Sequence, residues 1–292
     1  MRELHLSLAL LAFGATRAQD SISASEESPR FNIDSLIASF QWQTGLIDLA
    51  DGVAAMEVPA SHKYLGFDQA YHLIVDVWEN PPSITKGMLG VMLHADADVY
   101  SDRPAYVVYY EESGYVNDRD ADAIDYDAKL RGMIHDDSLA NASRRAQGYG
   151  GLQLIGWASP PHYDKQRKVL HWAKEMVSDE SEHNVLNYNI RILGRHGVLV
   201  INAISTMDHL GEVEAELPAV FGMASFNDGF RHDQYDPAVD GASSKGLAGL
   251  LDGKEQEQVK AVFKTIALLA AAGFIGLLLL LVALWWFFVR KH

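Results

Sequence analysis

Residues 265–289 run TIALLAAAGFIGLLLLLVALWWFFV without one charged side chain. A helix needs about 20 apolar residues to cross the hydrocarbon of a bilayer, so the stretch predicts a transmembrane anchor. With its flanks it occupies residues 263–289. Trp285 and Trp286 suit the headgroup layer, and Arg290, Lys291 and His292 follow at once, which places the tail 290–292 in the cytoplasm. The start of the chain predicts the same orientation. Arg2 precedes an apolar run from Leu4 to Phe13 that is too short to span, and Ala15 to Ala18 supply small residues for cleavage. Residues 1–18 therefore read as a secretory signal peptide, with an uncleaved signal anchor as the alternative. The expected protein sits in the cytoplasmic (inner) membrane by a single pass, with the bulk of its chain in the periplasm.

Between Gln19 and the anchor lie about 240 residues, enough for one substantial core. The chain contains no cysteine, so a domain in an oxidising compartment must be held by packing alone, and thiol chemistry is excluded. A formal charge of −15 argues against nucleic acid and against a domain lying flat on anionic lipid. Lys254, Lys260 and Lys264 form a small basic collar before the span. No Gly-rich loop with Lys and Ser or Thr follows a strand, and no cofactor is implied.

Residues 19–30 are small, polar and acidic and read as a flexible lead-in to a domain over 31–226. Ile33, Leu36, Ile37 and Phe40 have helical spacing. Asp51-Gly52 between two apolar runs predicts a hairpin. Asp68 is expected to cap a helix carrying Ala70, Leu73, Ile74 and Val77, which Asn80-Pro81-Pro82 stops. Strands follow at 87–94 and 105–110, then a helix from about Asp122 that fades by Ser138. Leu152 to Trp157 reads as a strand and 159–164 as a loop; residues 168–176 fit a helix or a returning strand, and the two Trp-Ala pairs favour the strand. Val185 to Leu193 and Val198 to Ile204 form the clearest hairpin, followed by a helix capped by Ser205 or Thr206 with Pro218 inside it. Residues 227–262 are rich in Gly, Asp and Ser and predict a tether with some local order. This order specifies an α+β domain with a mostly antiparallel sheet, similar in arrangement to the PsbP-like photosystem extrinsic proteins.

A set of local motifs runs through the domain in order: Trp78-Glu79-Asn80-Pro81-Pro82, Gly114-Tyr115-Val116, Ile124-Asp125-Tyr126, Gly148-Tyr149, Gly156-Trp157-Ala158, Leu170-His171-Trp172-Ala173, Leu186-Asn187-Tyr188, and Arg191 through Leu199. By these the chain resembles a bacterial family of predicted membrane-anchored proteins of unknown function (domain of unknown function 2167). The resemblance implies the anchor and the compartment and supplies no reaction.

Asn187, Asn189 and Arg191 fall on one strand face, with Ile190 and Ile192 on the other. That face either meets water or uses Arg191, with Arg195 at the turn, to hold a carboxylate or phosphate. In the loop from Pro160 to Asp164, Tyr163 offers an aromatic platform for recognition, flanked by Trp157 and Trp172 if the hairpin forms. His162 and Asp164 could transfer protons, but no nucleophile with an oriented base accompanies them. Asp118, Asp120 and Asp122 alternate like the start of a calcium loop, yet Ala123 and Lys129 stand where a glycine and a closing carboxylate belong. His94, Asp96 and Asp98 lack the spacing of a zinc motif and read as solvated loop charges. In the span, Ala272 and Gly276 would let a second helix approach closely, a route to a homo-oligomer. The expectation is a non-enzymatic module binding a protein or cell-wall component of the envelope. An envelope hydrolase using His162 and Asp164, or a cation-sensing domain, are the alternatives.

Overall fold

Period-two alternation and glycine-bearing turns resolve into two antiparallel sheets in a computed structural model, which describes residues 32–148, 150–179 and 181–251. The stretches read from the sequence as signal peptide (1–18), lead-in (19–30) and anchor (263–289) lie outside the described residues. The strands are β1 (Gly45–Leu49), β2 (Ala54–Val58), β3 (His62–Gly66), β4 (Met88–His94), β5 (Ala105–Glu111), β6 (Leu152–Asp164), β7 (Val169–Ser178), β8 (Val185–Leu193), β9 (Val198–Thr206) and β10 (Ala224–Phe226). The helices are α1 (Ile33–Ala38), α2 (Phe67–His72), α3 (Tyr126–Ala146), α4 (Leu210–Met223) and α5 (Leu247–Leu250). The small sheet has the order β1-β2-β10 and the large one β3-β4-β5-β9-β8-β7-β6. The expected α+β, mostly antiparallel class is the observed one. Among the described residues no helix is long and apolar enough to cross a membrane.

One face of the large sheet is closed. Met92, Tyr106, Val108, Tyr188, Ile190 and Ile201 pack there against Met56 of the small sheet and Val213, Leu217 and Val220 of α4. Among the described residues the other face is covered only at its ends. Val91 and Val107 lie under Leu73 and Ile74, in the helical segment continuing α2, while Leu154, Trp172 and Val200 lie under Met133 of α3 and Leu247 of α5. Between these two apolar patches the sheet carries polar side chains.

Several local readings change. The 159–164 segment is strand, not loop: β6 runs through Pro160 and Pro161 because it is an edge strand and its pairing with β7 slips at three places, where a missing N–H costs nothing. Residues 169–178 form the returning strand. Helix α3 extends to Ala146, beyond the expected fade at Ser138, because its polar residues grip the edge: Asp137 Oδ2 accepts from Leu154 N at 2.7 Å, and Asn141 pairs with both the N–H and the carbonyl of Leu152 at 2.6 and 3.0 Å. Asp125 caps that helix through Ala128 N, whereas α2 and α4 start without a side-chain cap, so Asp68, Ser205 and Thr206 do not serve as expected, and the Ser205 hydroxyl donates instead to the Asp102 carbonyl. Residues 227–251, read as tether, are packed instead: Tyr115 bridges to Ala242, and Leu247, Leu250 and Leu251 are buried.

Gly90 is fixed by close approach. A Cβ there would lie 2.2 Å from the Leu65 carbonyl oxygen and as near to the Tyr64 phenol, so only glycine lets β3 and β4 pair at this point.

Candidate functional site

The polar strip on the half-covered face is built by register. Asn189 stands opposite Trp172 on β7 and Asn202 on β9, Asn187 opposite Lys174, and Arg191 between Leu170 and Val200. Arg191 is only 5% exposed. Burying a guanidinium is costly unless its donors and its face are satisfied, and both are engaged here. Its Nη1 donates to Asn202 Oδ1 at 3.0 Å, its Nη2 to Asn189 Oδ1 at 3.3 Å, and its carbon lies 5.1 Å from the centre of the Trp172 ring. Asn189 in turn donates to Asn187 Oδ1 at 3.0 Å. The indole N–H of Trp172 is buried and has no acceptor among the described residues.

These side chains wall a cavity of about 100 Å³, together with Lys86, Tyr109, Glu111 and Lys174. A second cavity of about 320 Å³, reaching Trp78, Asn80 and Arg103, shares Tyr109 and Ile84 with the first, so the two are neighbours along this face and are together called the groove. Lys86, Lys174 and Arg191 face one carboxylate, Glu111, in the first cavity, in a chain with 39 acidic and 24 basic side chains. The groove is therefore a local reversal of the charge of the protein.

Of the other residues singled out from the sequence, Trp157 lies on the same sheet, on β6 opposite Lys174, packed at the edge of the α3 patch. Tyr163 and Arg195 serve elsewhere. The Tyr163 hydroxyl donates to Asp118 Oδ2 at 2.7 Å, beside Lys168 Nζ at 2.8 Å. Burial and the Asp118 carboxylate push the Tyr163 phenol well above its ordinary value. Burial also opposes the Asp118 charge, but Lys168 and Tyr163 outweigh it and hold that carboxyl below its usual range. Arg195 clamps Asp240 through Nε and Nη2 at 2.7 and 3.0 Å, tying the 227–251 segment to the β8–β9 turn. Asp120 accepts from Leu247 N and Ala248 N, and Asp122 pairs with Lys165. The three aspartates of the calcium-like run thus point to three different partners. Asp164 spends its oxygens on the backbone of Gln166 and Arg167 and on the Arg167 side chain, closing the β6–β7 turn, while His162 is exposed.

A second constellation is hidden from a reading along the chain. Register pairs His62 of β3 with His94 of β4, on the closed face, at 4.5 Å between ring centres. Both are 4% exposed, and neither Nε2 has a hydrogen-bond partner among the described residues. Glu216 of α4 brings Oε2 to 3.5 Å from His94 Nε2 and 4.0 Å from His62 Nε2, and it accepts from the Tyr106 hydroxyl. Arg103 sits beside them, donating to Asp96 Oδ1 and Glu212 Oε1 at 2.7 Å each and to His94 Nδ1 at 3.0 Å. Burial first, and His94 second, lower the affinity of His62 for a proton. His94 is thus not a solvated loop charge. The only sequence signal for the group is the i, i+4 pair Glu212 and Glu216 on one helix face.

The family model described as protein of unknown function (DUF2167) matches residues 41–289. The chain belongs to this family. Solved structures similar to the DUF2167 chain include the solution structure of cyanobacterial PsbP from Synechocystis, 12% identical over 65% of this chain and 94% of that one with a TM-score of 0.36. The Ran-binding protein Mog1p of Saccharomyces cerevisiae is 12% identical over 63% of this chain and 85% of its own, with a TM-score of 0.28. No curated protein matches the DUF2167 chain in sequence.

Proposed function

We propose that this DUF2167 protein is a membrane-anchored, extracytoplasmic binding module whose groove receives an acidic, extended segment of an envelope partner. The uncharged stretch 265–289 and the amino-terminal leader support the anchor and the orientation. The observation that carries the binding reading is the groove itself: Lys86, Lys174 and Arg191 around an asparagine ladder, in a chain whose formal charge is −15. Arg191, held by Trp172 and two asparagines, fixes a positive charge in the cavity that Lys86 and Lys174 also line, a setting that favours a carboxylate or phosphate reaching those lysines.

The test is photo-crosslinking of the full chain in its own membranes, from a reactive side chain at Lys174 and from one at Val239 as an exposed control away from the groove. A recurrent product from position 174 that disappears in Arg191→Gln, while the control position stays silent, is the expected result. Equal products from both positions, or none from position 174, would refute the groove as a binding surface. The absence of cysteine makes topology directly measurable: single cysteines at Ser243 and at His292 should be labelled by an impermeant maleimide from opposite sides of the membrane.

A further inference from the structure

Two buried imidazole nitrogens facing one carboxylate, with no hydrogen bond at either, leave donor atoms that something must satisfy. We infer that His62 Nε2, His94 Nε2 and the Glu216 carboxylate bind one divalent transition-metal ion of the zinc class, with Glu212 as the nearest fourth ligand.

The geometry is close to what the ion requires. The three donor atoms all lie within 4.8 Å of one another. Tetrahedral zinc with bonds of about 2.0–2.1 Å places its ligands roughly 3.4 Å apart. His94 Nε2 and Glu216 Oε2, at 3.5 Å, are already there; the His62 ring, at 4.0 Å from the same oxygen, closes the gap by a small rotation. Glu212 Oε1 lies 3.9 Å from His94 Nε2. Two imidazoles and a carboxylate suit zinc, cobalt or copper and not calcium or magnesium, which take oxygen ligands. Both glutamates are partly exposed and open a route from solvent, while the two histidines are enclosed.

The surroundings are those of a supported site. Ser61 Oγ lies 3.0 Å from His62 Nδ1, and by accepting the proton there it leaves the Nε2 lone pair free. The Tyr106 hydroxyl fixes the Glu216 carboxylate. Arg103 works in the opposite direction. A guanidinium can only donate, so its contact with His94 Nδ1 requires that nitrogen to accept, and a neutral ring then carries its proton on Nε2, facing the site. Metal binding moves that proton to Nδ1, with the ring still neutral, and breaks the Arg103 contact. Arg103 keeps Asp96 and Glu212, and it competes with the ion for the same histidine. Removing the arginine therefore tightens metal binding.

The experiment is a Co²⁺ titration of the full chain in detergent, read by visible absorption, with Zn²⁺ as competitor. One equivalent of Co²⁺ should bind with the intense bands of a four-coordinate ion, yield to one equivalent of Zn²⁺, and ignore Ca²⁺ and Mg²⁺. Binding should fall at least tenfold in His62→Gln and in Glu216→Gln, and should tighten about tenfold in Arg103→Met, where a charge-assisted competitor is gone. X-ray absorption of the zinc-loaded wild type gives a check that needs no variant: two imidazoles in the coordination shell are expected. No uptake by the wild type, a shell with fewer than two imidazoles, or uptake unchanged in folded His62→Gln would overturn the site. His62, His94 and Glu216 line neither cavity of the groove, so the wild-type titration, the absorption spectrum and the His62→Gln and Glu216→Gln variants report on the site apart from the binding reading, while Arg103 also reaches the second cavity.

Discussion

Lowering the pH from 7 to 4 should cost this domain stability through one side chain in particular. His171 stands on β7 with its ring between Tyr188, stacked at 6.0 Å, and Phe221 of α4 at 5.2 Å, and its Nδ1 is hydrogen-bonded to the Tyr188 hydroxyl at 3.0 Å. Burial above all, and then the neighbouring His162, push its pKa from 6.5 down to about 4. The ring is therefore neutral in the fold and protonates in the unfolded chain as pH drops through 6.5. A depressed folded value means that the unfolded state binds more protons in the window between 6.5 and about 4, and stability is lost as pH falls across it. Each pH unit crossed with one extra proton on the unfolded chain removes about 1.36 kcal/mol, so the loss from this group is about 2 kcal/mol at pH 5 and about 3 kcal/mol at pH 4. His62, also depressed, adds in the same direction. The contribution of His171 is thus isolated as the difference between wild type and His171→Phe, which keeps the ring stack and lacks the titration. Urea midpoints measured every half unit from pH 7 to 4 should fall less steeply in the variant. Parallel curves would show that the wild-type ring protonates within the fold, and the reasoning from burial would fail.

The packing makes further predictions. Gly90→Ala forces a methyl group against the backbone carbonyl of Leu65, which cannot yield without shifting β3, and should cost about 3 kcal/mol; an unchanged melting temperature would refute the close approach. Asn141→Ala removes the partner of both the N–H and the carbonyl of Leu152, and at about 1–3 kcal/mol per unsatisfied group it should cost about 2–6 kcal/mol in urea unfolding and speed amide exchange along β6; exchange unaltered there would mean water takes over without loss. Arg195→Ala releases Asp240 and should expose residues 227–251 to limited proteolysis while the large sheet resists.

The parts of this fold that are legible from sequence are those whose instructions are local. The β8–β9 hairpin announces itself by alternation between two bracketing glycines, and the Asp51-Gly52 turn by two residues that accept the positive φ observed there, whereas the positive φ of Ala50 has no such signal. Strand β3, HKYLG, has no alternation to see, since it buries Tyr64 on one face and Leu65 on the other. The three residues of β10 are too few for any period. The later polar residues of α3 look solvated in the sequence, although Asn141 is 4% exposed and spends its amide on β6. At the site, period two correctly puts Asn187, Asn189 and Arg191 on one face. It cannot say that Ser83, Ile84, Lys86 and Leu251, distant in sequence, join Arg191 in lining one cavity. The His62–His94 pair depends on the register of two strands separated by a helix and a proline turn, and no local pattern encodes that.

The exit of the chain ties the groove to the membrane reading. Leu251, the last described residue, lines the groove beside Trp172 and Arg191, and about 13 residues separate it from Thr265, a reach of at most about 45 Å fully extended. If residues 265–289 are the anchor, the groove is held within that distance of the bilayer, and a partner anchored in the same membrane meets it at high effective concentration. Inserting about 40 Gly/Ser residues after Gly253 dilutes the groove relative to such a partner by roughly eightfold, from the −3/2 power of linker length. Crosslinking from position 174 to an integral partner should fall by that order, whereas capture of a soluble or wall-bound partner should persist. An integral partner crosslinked with equal yield across the insertion would mean that its own contacts, and not the short connection to the anchor, bring it to the groove.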